Sequence, residues 1–558
     1  MGLPYVRAQA GDDAQRWTTF ANPHVVLAIA RTFTSTARLL DALSAFRGDH
    51  RIQVVFTFDD TSAFNAGTEA LLRDHDVCLL PWDEARRKTH AHLVLTASEN
   101  VDLTDFKAPI VVLPHGIGFQ KYVPDSLTNR RRLSGVVREE FTDAPNVHMV
   151  LSHPAQREQL RSDYPRLAEN AVVIGDPIHD KIQASVRLRD EYRRRLGVAD
   201  HHRLVTITST WNGQGLFGQR PTLPSELLAQ LPHDRYRVAA ILHPNIWFAH
   251  SPWQVRDWLA DALDAGLLLI PPDRGWGAGL VAADCVIGDH GSVTLYGAAV
   301  DRPVLIGAFG EESVPGTAIA QLAVSAPHLE HNRDLLGQVE ATVDDHRPGR
   351  HAAAADLAFA HVGQAARRQA ELFYELLGLT PPTKSGRIRA VPAAEPERTA
   401  VTAFEVHTTL TNPYTVAVDR YPAAVRAPED PPPGTIRHLA AAATEPDDAL
   451  ARSASVIYRA GPLLWDRAQE WTRSALARNP GALMTAVGTP DGCLVAIRDG
   501  RIVQVSTPEI PAAPDAPDAC LLASVVYALL RARRKPSGHH TLRAGTRVWT
   551  CSLSTFPD

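Results

Sequence analysis

Cysteine is scarce and scattered. The five cysteines, at 78, 285, 493, 520 and 551, are odd in number and include no CxxC pair. That argues against a disulfide framework or a cysteine-built zinc site and points to a reducing cytoplasm. Long apolar runs are missing, since none reaches the ~18 residues that span a bilayer. The first 24 residues carry Asp12 and Asp13 and no apolar core of signal-peptide type. Neither secretion nor membrane insertion is expected, whereas peripheral membrane contact stays open. An excess of basic charge is also missing: 57 Lys and Arg against 62 Asp and Glu leave a net charge of −5. A surface that grips nucleic acid as a whole is therefore excluded, and no nucleic-acid partner is expected. Lysine is rare, with six against 51 arginines. Beside so much Ala and Pro, this reflects GC-rich coding rather than function.

What is present is enough apolar sequence, 45% of 558 residues, to build cores. At roughly 100–200 residues per domain, the length suggests about three domains. Short aliphatic, β-branched runs recur at 24–30, 51–58, 76–81, 92–98, 108–114, 148–152 and 171–175. A second series follows at 203–210, 236–244, 266–272, 284–289 and 302–307. Nearly continuous apolar runs are expected of strands covered on both faces in a parallel sheet. Amphipathic stretches such as 35–46 and 155–164 lie between them. The alternation predicts an α/β chain of two Rossmann-like, doubly wound domains facing each other, at 1–178 and 179–379. An Ala-rich helix over 351–378, stopped by Gly378 and the prolines at 381 and 382, closes the second. Residues 380–399 read as a linker, and 400–558 as a small α+β appendix of unassigned role. Within it, LVAIRDGRIVQVS (494–506) is a hairpin signal with Asp499-Gly500 at the turn, and 520–534 reads as a helix.

Ligands of open α/β sheets bind beyond the carboxyl ends of the strands. Four loops there are informative. In LPHGIGF (113–119), His115 directly follows a strand, and Gly116 and Gly118 let backbone approach a ligand closely. A histidine there can act as a general base or can simply be satisfied by a loop carbonyl. In GDHGS (288–292), Asp289, His290, Gly291 and Ser292 open a helix whose N-terminus suits a phosphate, or merely cap it. In ILHPN (241–245), Pro244 holds His243 in an extended pose. STWNGQGLFG (209–218) is a Gly-rich loop beginning with Thr210 and Trp211.

The order of these motifs resembles the GT-B glycosyltransferase fold, and most of all the CDP-glycerol glycerophosphotransferase family of teichoic acid polymerases. LPHGIGF takes the place of that family's Trp-His-Gly-Thr loop, and ITSTW (207–211) that of its Pro-Thr-Trp strand end. His243-Pro244 matches its His-Pro. GDHGS partly matches its Thr-Asp-Tyr-Ser-Ser, and GDPIHD (175–180) resembles an interdomain stretch of GT-B enzymes. The likeness covers roughly residues 20–378. It implies a cytoplasmic, metal- and cofactor-independent transferase of cell-wall polysaccharide synthesis. Such an enzyme moves a glycosyl or polyol-phosphate group from a CDP- or UDP-linked donor to a hydroxyl-bearing acceptor. His115 would be the base, with Gly116, Thr210, Trp211, His243, Pro244 and residues 289–292 lining the substrate site. The chain departs from the family pattern at Ile117, His290 and Gly291. Leu295 or Tyr296 stands where the family carries an acidic residue. Two alternatives follow. One is a nucleotide-sugar 2-epimerase, which would need acidic groups that no motif supplies. The other is a catalytically silent binding module.

The basic runs at 129–139 and 192–197 read as solvated helix faces. The run at 531–540 could meet an anionic surface or complete a helix C-terminus. The oligomeric state, the donor base and the acceptor are not written in the sequence.

Overall fold

The computed structural model describes residues 19–20, 23–124, 131–331, 334–425, 431–508 and 516–557. Asp12 and Asp13, Asn129 and Arg130 of the first basic run, and the first half of the Pro-rich run at 427–434 lie outside the described residues.

The first apolar series forms β1 (His24–Ala30), β2 (Ile52–Phe58), β3 (Leu79–Leu80), β4 (Leu93–Thr96) and β5 (Ile110–Val112). A small hairpin of β6 (Tyr122–Pro124) and β7 (Arg131–Leu133) follows, then β8 (Val147–Leu151) and β9 (Val172–Val173). Seven of these make one parallel sheet in the order β3-β2-β1-β4-β5-β8-β9. The second series gives β10 (Arg203–Ser209), β11 (Tyr236–Leu242), β12 (Leu268–Ile270), β13 (Cys285–Gly288) and β14 (Val304–Ile306). These are also parallel, in the order β12-β11-β10-β13-β14. In each sheet the order reverses beside the first strand, between β1 and β4 and between β10 and β13. That reversal opens a crevice at the carboxyl ends. Helices cover both faces, so Val26 to Ala30 and Cys285 to Ile287 are buried without alternation.

The Ala-rich stretch at 351–378 is not one helix. It forms Ala352–Asp356 and Ala365–Leu376, separated by a loop that holds His361 and Gly363 at positive φ. The Asp180 carboxylate accepts the Gly363 and Ala365 N–H groups, at 2.6 and 2.9 Å, which fixes the break. The second helix returns to the first sheet, where Phe373 and Leu372 join the core of Val26, Leu39 and Phe46. Nor is 380–399 a free linker. Val391 bonds to Ser185 and Tyr192, and Glu397 bridges to Leu269 and pairs with Arg256. An extended, proline-rich strand can be pinned through its carbonyls without belonging to a sheet.

The appendix is a closed barrel rather than a plain α+β layer. Its strands are β15 (Ala403–Asn412), β16 (Thr415–Pro422), β17 (Ile436–Ala442), β18 (Val456–Arg459), β19 (Met484–Thr489), β20 (Gly492–Ile497), β21 (Arg501–Ser506), β22 (Gly538–Ala544) and β23 (Arg547–Pro557). They close in the order β15-β16-β22-β23-β21-β20-β19-β18-β17. Helix Ala519–Arg531 is buried all round from Ala519 to Leu529 and touches most of the strands, so it fills the lumen. That explains its unbroken apolar sequence. Among the described residues, no helix is long and apolar enough to cross a membrane.

In the basic runs, Arg194 and Arg195 are exposed on a helix as read, but others have different settings. Arg131 and Arg132 sit on β7, and Arg193 is buried against Asp284 at 2.7 Å. Arg534 donates to the Pro413 carbonyl at 3.0 Å.

A buried ion pair fastens the barrel to the second sheet's lobe. Arg420 Nε and Nη2 donate to both oxygens of Asp234, at 2.9 and 2.6 Å, and Nη1 donates to Asp518 at 2.7 Å. Arg420→Met takes both guanidinium hydrogen bonds from the buried Asp234 carboxylate, leaving Arg547 at 3.6 Å, and is expected to cost roughly 3 kcal/mol. Adding Asp234→Leu should recover most of that in urea unfolding. An Arg420→Met protein as stable as wild type would show that the pair carries no weight.

Candidate functional site

The carboxyl ends of the two sheets meet. The loop after β5 carries Pro114, His115, Gly116 and Ile117, and the turn after β13 carries Asp289 to Ser292. Ser292 is the first residue of helix Ser292–Ala299, and its Oγ accepts the Ile117 N–H at 3.1 Å. A Cβ on Gly116 would come within 2.9 Å of the same oxygen. Glycine is favoured there by proximity rather than by an unusual backbone angle. No side chain caps the N-terminus of this helix. Its first N–H groups are therefore left without a side-chain partner at the positive end of its dipole.

His115 does not stand alone. Its Nδ1 lies 3.4 Å from Glu99 Oε2, a carboxylate on the loop after β4. The Glu99 side chain is 9% exposed and the imidazole 37%, so the acid backs the ring and the ring faces the gap. Burial alone would raise the Glu99 carboxyl. The His115 charge and hydrogen bond, helped by Arg132, override it and hold the group down to about 2. Burial likewise penalises protonated His115, but the Glu99 carboxylate wins against burial, Lys121 and Arg38, so the ring's pKa is raised. With Nδ1–H turned to Glu99, Nε2 is left as the basic atom.

His243 ends β11 and begins helix Pro244–His250, with Pro244 in the first turn. Its Nδ1 accepts the Asn245 N–H at 3.1 Å, so the neutral ring carries its proton on Nε2. Burial first, then the charges of Lys121 and His115, push it down to about 3. His243 is thus a neutral donor at pH 7.

Asp289 and His290 lie behind the gap rather than in it. Asp289 is fully buried, and its oxygens accept the N–H groups of Thr210, Leu216 and Gly291, at 2.8, 2.8 and 2.9 Å. It shapes both the 210–216 loop and the turn, and burial raises its pKa. His290 Nδ1 accepts the Gly310 N–H at 3.1 Å, so Nε2–H donates to Glu312 at 2.9 Å. Thr210 is buried and contributes backbone. Trp211 is half-buried, with the Phe64 ring 5.1 Å away and the Lys121 ammonium 5.6 Å from its centroid.

The motifs left out three residues that the structure adds: Glu99, Lys121 and Glu312. A register argument could have found Glu99. Thr96 pairs with Val112, and Glu99 and His115 each lie three residues beyond that pair. Neighbouring parallel strands put such residues at the same height. Among the described residues, no group of three or more His, Cys, Asp or Glu side chains has the arrangement of a metal site.

No family model matches the chain, and no curated protein matches it. Solved structures similar to it include the wall teichoic acid polymerase TagF, at 13% identity over 64% of this chain and 89% of that one, with a TM-score of 0.43. A glycosyltransferase from Rickettsia africae is 12% identical over 64% of this chain and all (100%) of that one, with a TM-score of 0.38. HepE of Anabaena, in complex with UDP and glucose, is 14% identical over 64% and 100%, with a TM-score of 0.37. These likenesses are shallow, and the functional reading rests on the loops themselves.

Two outcomes follow from this geometry. Gly116→Ala should lower the melting temperature, and the same change in a Ser292→Ala background should cost clearly less, because the crowded oxygen is gone. Equal costs in both backgrounds would deny the contact. For the Glu99–His115 pair, both partners are charged between the ordinary carboxylate and imidazole pKa values, about 4.3 and 6.5. The raised His115 pKa stabilises the fold below the unfolded value and loses that effect as pH rises through the folded one. The depressed Glu99 pKa does so above its unfolded value and fails as pH falls towards about 2. The stability gap between wild type and Glu99→Gln should therefore be widest near pH 5–6 and narrow above, read by urea unfolding across pH. A gap that is flat with pH would break the pairing.

Proposed function

We propose that the chain is a metal-independent transferase of GT-B type. Its two Rossmann-like lobes would bind a nucleotide-activated donor and pass a glycosyl or polyol-phosphate group to a hydroxyl acceptor. The observation that carries this reading is the opposition across one gap: a carboxylate-backed imidazole on one wall, and an uncapped helix N-terminus with Ser292 on the other.

Each part has a chemical task. His115 Nε2 takes the acceptor's hydroxyl proton as the acceptor oxygen attacks the transferred centre. Glu99 holds the ring's other proton and stabilises the imidazolium that forms. The bond to the departing nucleoside phosphate breaks, and charge grows on that phosphate. Fixed donors aimed there (the N–H groups opening helix Ser292–Ala299, and the Nε2–H of His243) compensate it without reorganising. Asp289 and His290 act at one remove, by holding the turn and the 210–216 loop. The acceptor-side lobe would be the first and the donor-side lobe the second.

The epimerase reading gains acidic groups from the structure, but not in the needed state. Despite burial, His290 and Lys121 lower Glu312, and His115 lowers Glu99. Neither carboxyl is poised to donate a proton near pH 7, so transfer remains the better account.

Thermal shift with CDP, UDP and GDP in turn is the first test. A ligand present at a hundred times its Kd adds about 2.7 kcal/mol of stability. No shift with any of them would favour a silent module. His115→Ala should then bind the same nucleotide as wild type while losing roughly 10²- to 10⁴-fold in transfer. Transfer at the wild-type rate would remove His115 from the chemistry.

A further inference from the structure

Lys121 is the charge in the gap that the scheme above does not use. It lies between the His115 loop and the far wall, on backbone that is tied across. Tyr122 N–H donates to the Glu312 carbonyl at 2.7 Å, and Val314 N–H donates to the Gln120 carbonyl at 3.0 Å. Lys121 itself bridges Ser313 between these bonds. The stem's origin is therefore fixed, while four rotatable carbons leave the ammonium free to move. That ammonium lies 3.5 Å from Glu312 Oε1 and above the Trp211 ring.

Two features make this a resting position. Glu312 has other partners: His290 Nε2 at 2.9 Å on Oε1, and Asn212 Nδ2 at 3.3 Å on Oε2. It would stay satisfied if the lysine left. The ammonium is also close enough to His115 and His243, on opposite walls, to disfavour protonation of each. His243 is neutral, and His115 is held by its own carboxylate, Glu99, so Lys121 is the cation that can turn from its partner to an incoming diphosphate.

We propose that Lys121 grips the phosphates of the nucleotide donor, leaving Glu312 as the donor binds. The inference rests on the reading of this gap as the donor site. It adds a consequence for the chemistry. Once a phosphate neutralises the ammonium, the repulsion on His115 is lifted, and the ring becomes a stronger base only when a donor is present.

Isothermal titration of the full-length protein tests this, with CDP and UDP as probes and cytidine and uridine as controls. Lys121→Met should weaken the diphosphate roughly ten- to a hundred-fold and leave the nucleoside unchanged. Lys121→Arg should restore part of the loss, and Glu312→Gln should tighten the diphosphate by freeing the lysine. The inference falls if Lys121→Met binds the diphosphate as wild type does. It also falls if the variant loses diphosphate and nucleoside equally, as a disturbed loop would, or if Glu312→Gln weakens the diphosphate. Wild-type protein that binds neither CDP nor UDP would overturn the donor-site reading itself, which is a distinguishable result.

Discussion

Two loops from different sheets touch where a methyl group would have to push a hydroxyl aside. Gly116 sits so close to Ser292 that a side chain would collide with its hydroxyl, and that hydroxyl is bonded to the next amide, Ile117. This one contact puts His115 directly across from the start of helix Ser292–Ala299. If the two turns stood a few ångströms further apart, the imidazole and the helix N-terminus would be two unrelated strand-end features. The contact is short because each sheet presents the same edge, its carboxyl ends, and each has its crevice at a strand-order reversal. Asp289 then holds one side from beneath, by bonding three amides on two loops. Glu99 holds the other side by fixing the imidazole.

Both parallel sheets were legible in the sequence because burial on both faces leaves an unbroken aliphatic run, which polar loops interrupt cleanly. The strand-end motifs were legible for the same reason: His115, His243 and Asp289 each follow such a run directly. What stayed hidden depends on pairs distant in sequence. Nothing local in TASEN marks Glu99. Its meaning comes from β4 lying beside β5, which brings residues 99 and 115 together. Lys121 and Glu312 need the ladder between residues 120–122 and 312–314, whose strands are too short to carry a pattern. His290 read as a ligand-facing residue, yet its ring is buried and serves Glu312. The barrel escaped because its closure depends on pairs distant in sequence, such as β16 with β22, and because a lumen-filling helix has no polar face to advertise its setting. Proline and charge in 380–399 suggested slack, but composition does not tell whether an extended segment is bound along its length.

The pieces outside the sheets are attached unequally, and that decides what can move. The barrel is joined to the second lobe through Arg420, Asp234 and the pinned strap at 391–397. The last helix, Ala365–Leu376, packs on the first lobe, and its Tyr374 hydroxyl donates to Asp49 at 2.8 Å. The chain therefore crosses between lobes three times, near 175, near 360 and again between 377 and 391. The first two crossings touch: Gly175, at a φ of 93°, lies so close to the Ala360 carbonyl that a Cβ would be 2.4 Å away. Beside them Arg38 joins the Pro114 carbonyl to Asp176, and Asp176 accepts the Tyr296 hydroxyl at 2.5 Å. Pro114 precedes His115, and Tyr296 lies one turn beyond Ser292 on the same helix. The buried charge at the crossing is thus wired to both walls of the gap. Any rotation of one lobe against the other must either preserve this group as its pivot or break hydrogen bonds at the base and at the helix N-terminus together. The bond between Ile117 and Ser292, and the two backbone bonds between segments 120–122 and 312–314, tie the same walls a second time, so the imidazole and the helix are held in line from both sides.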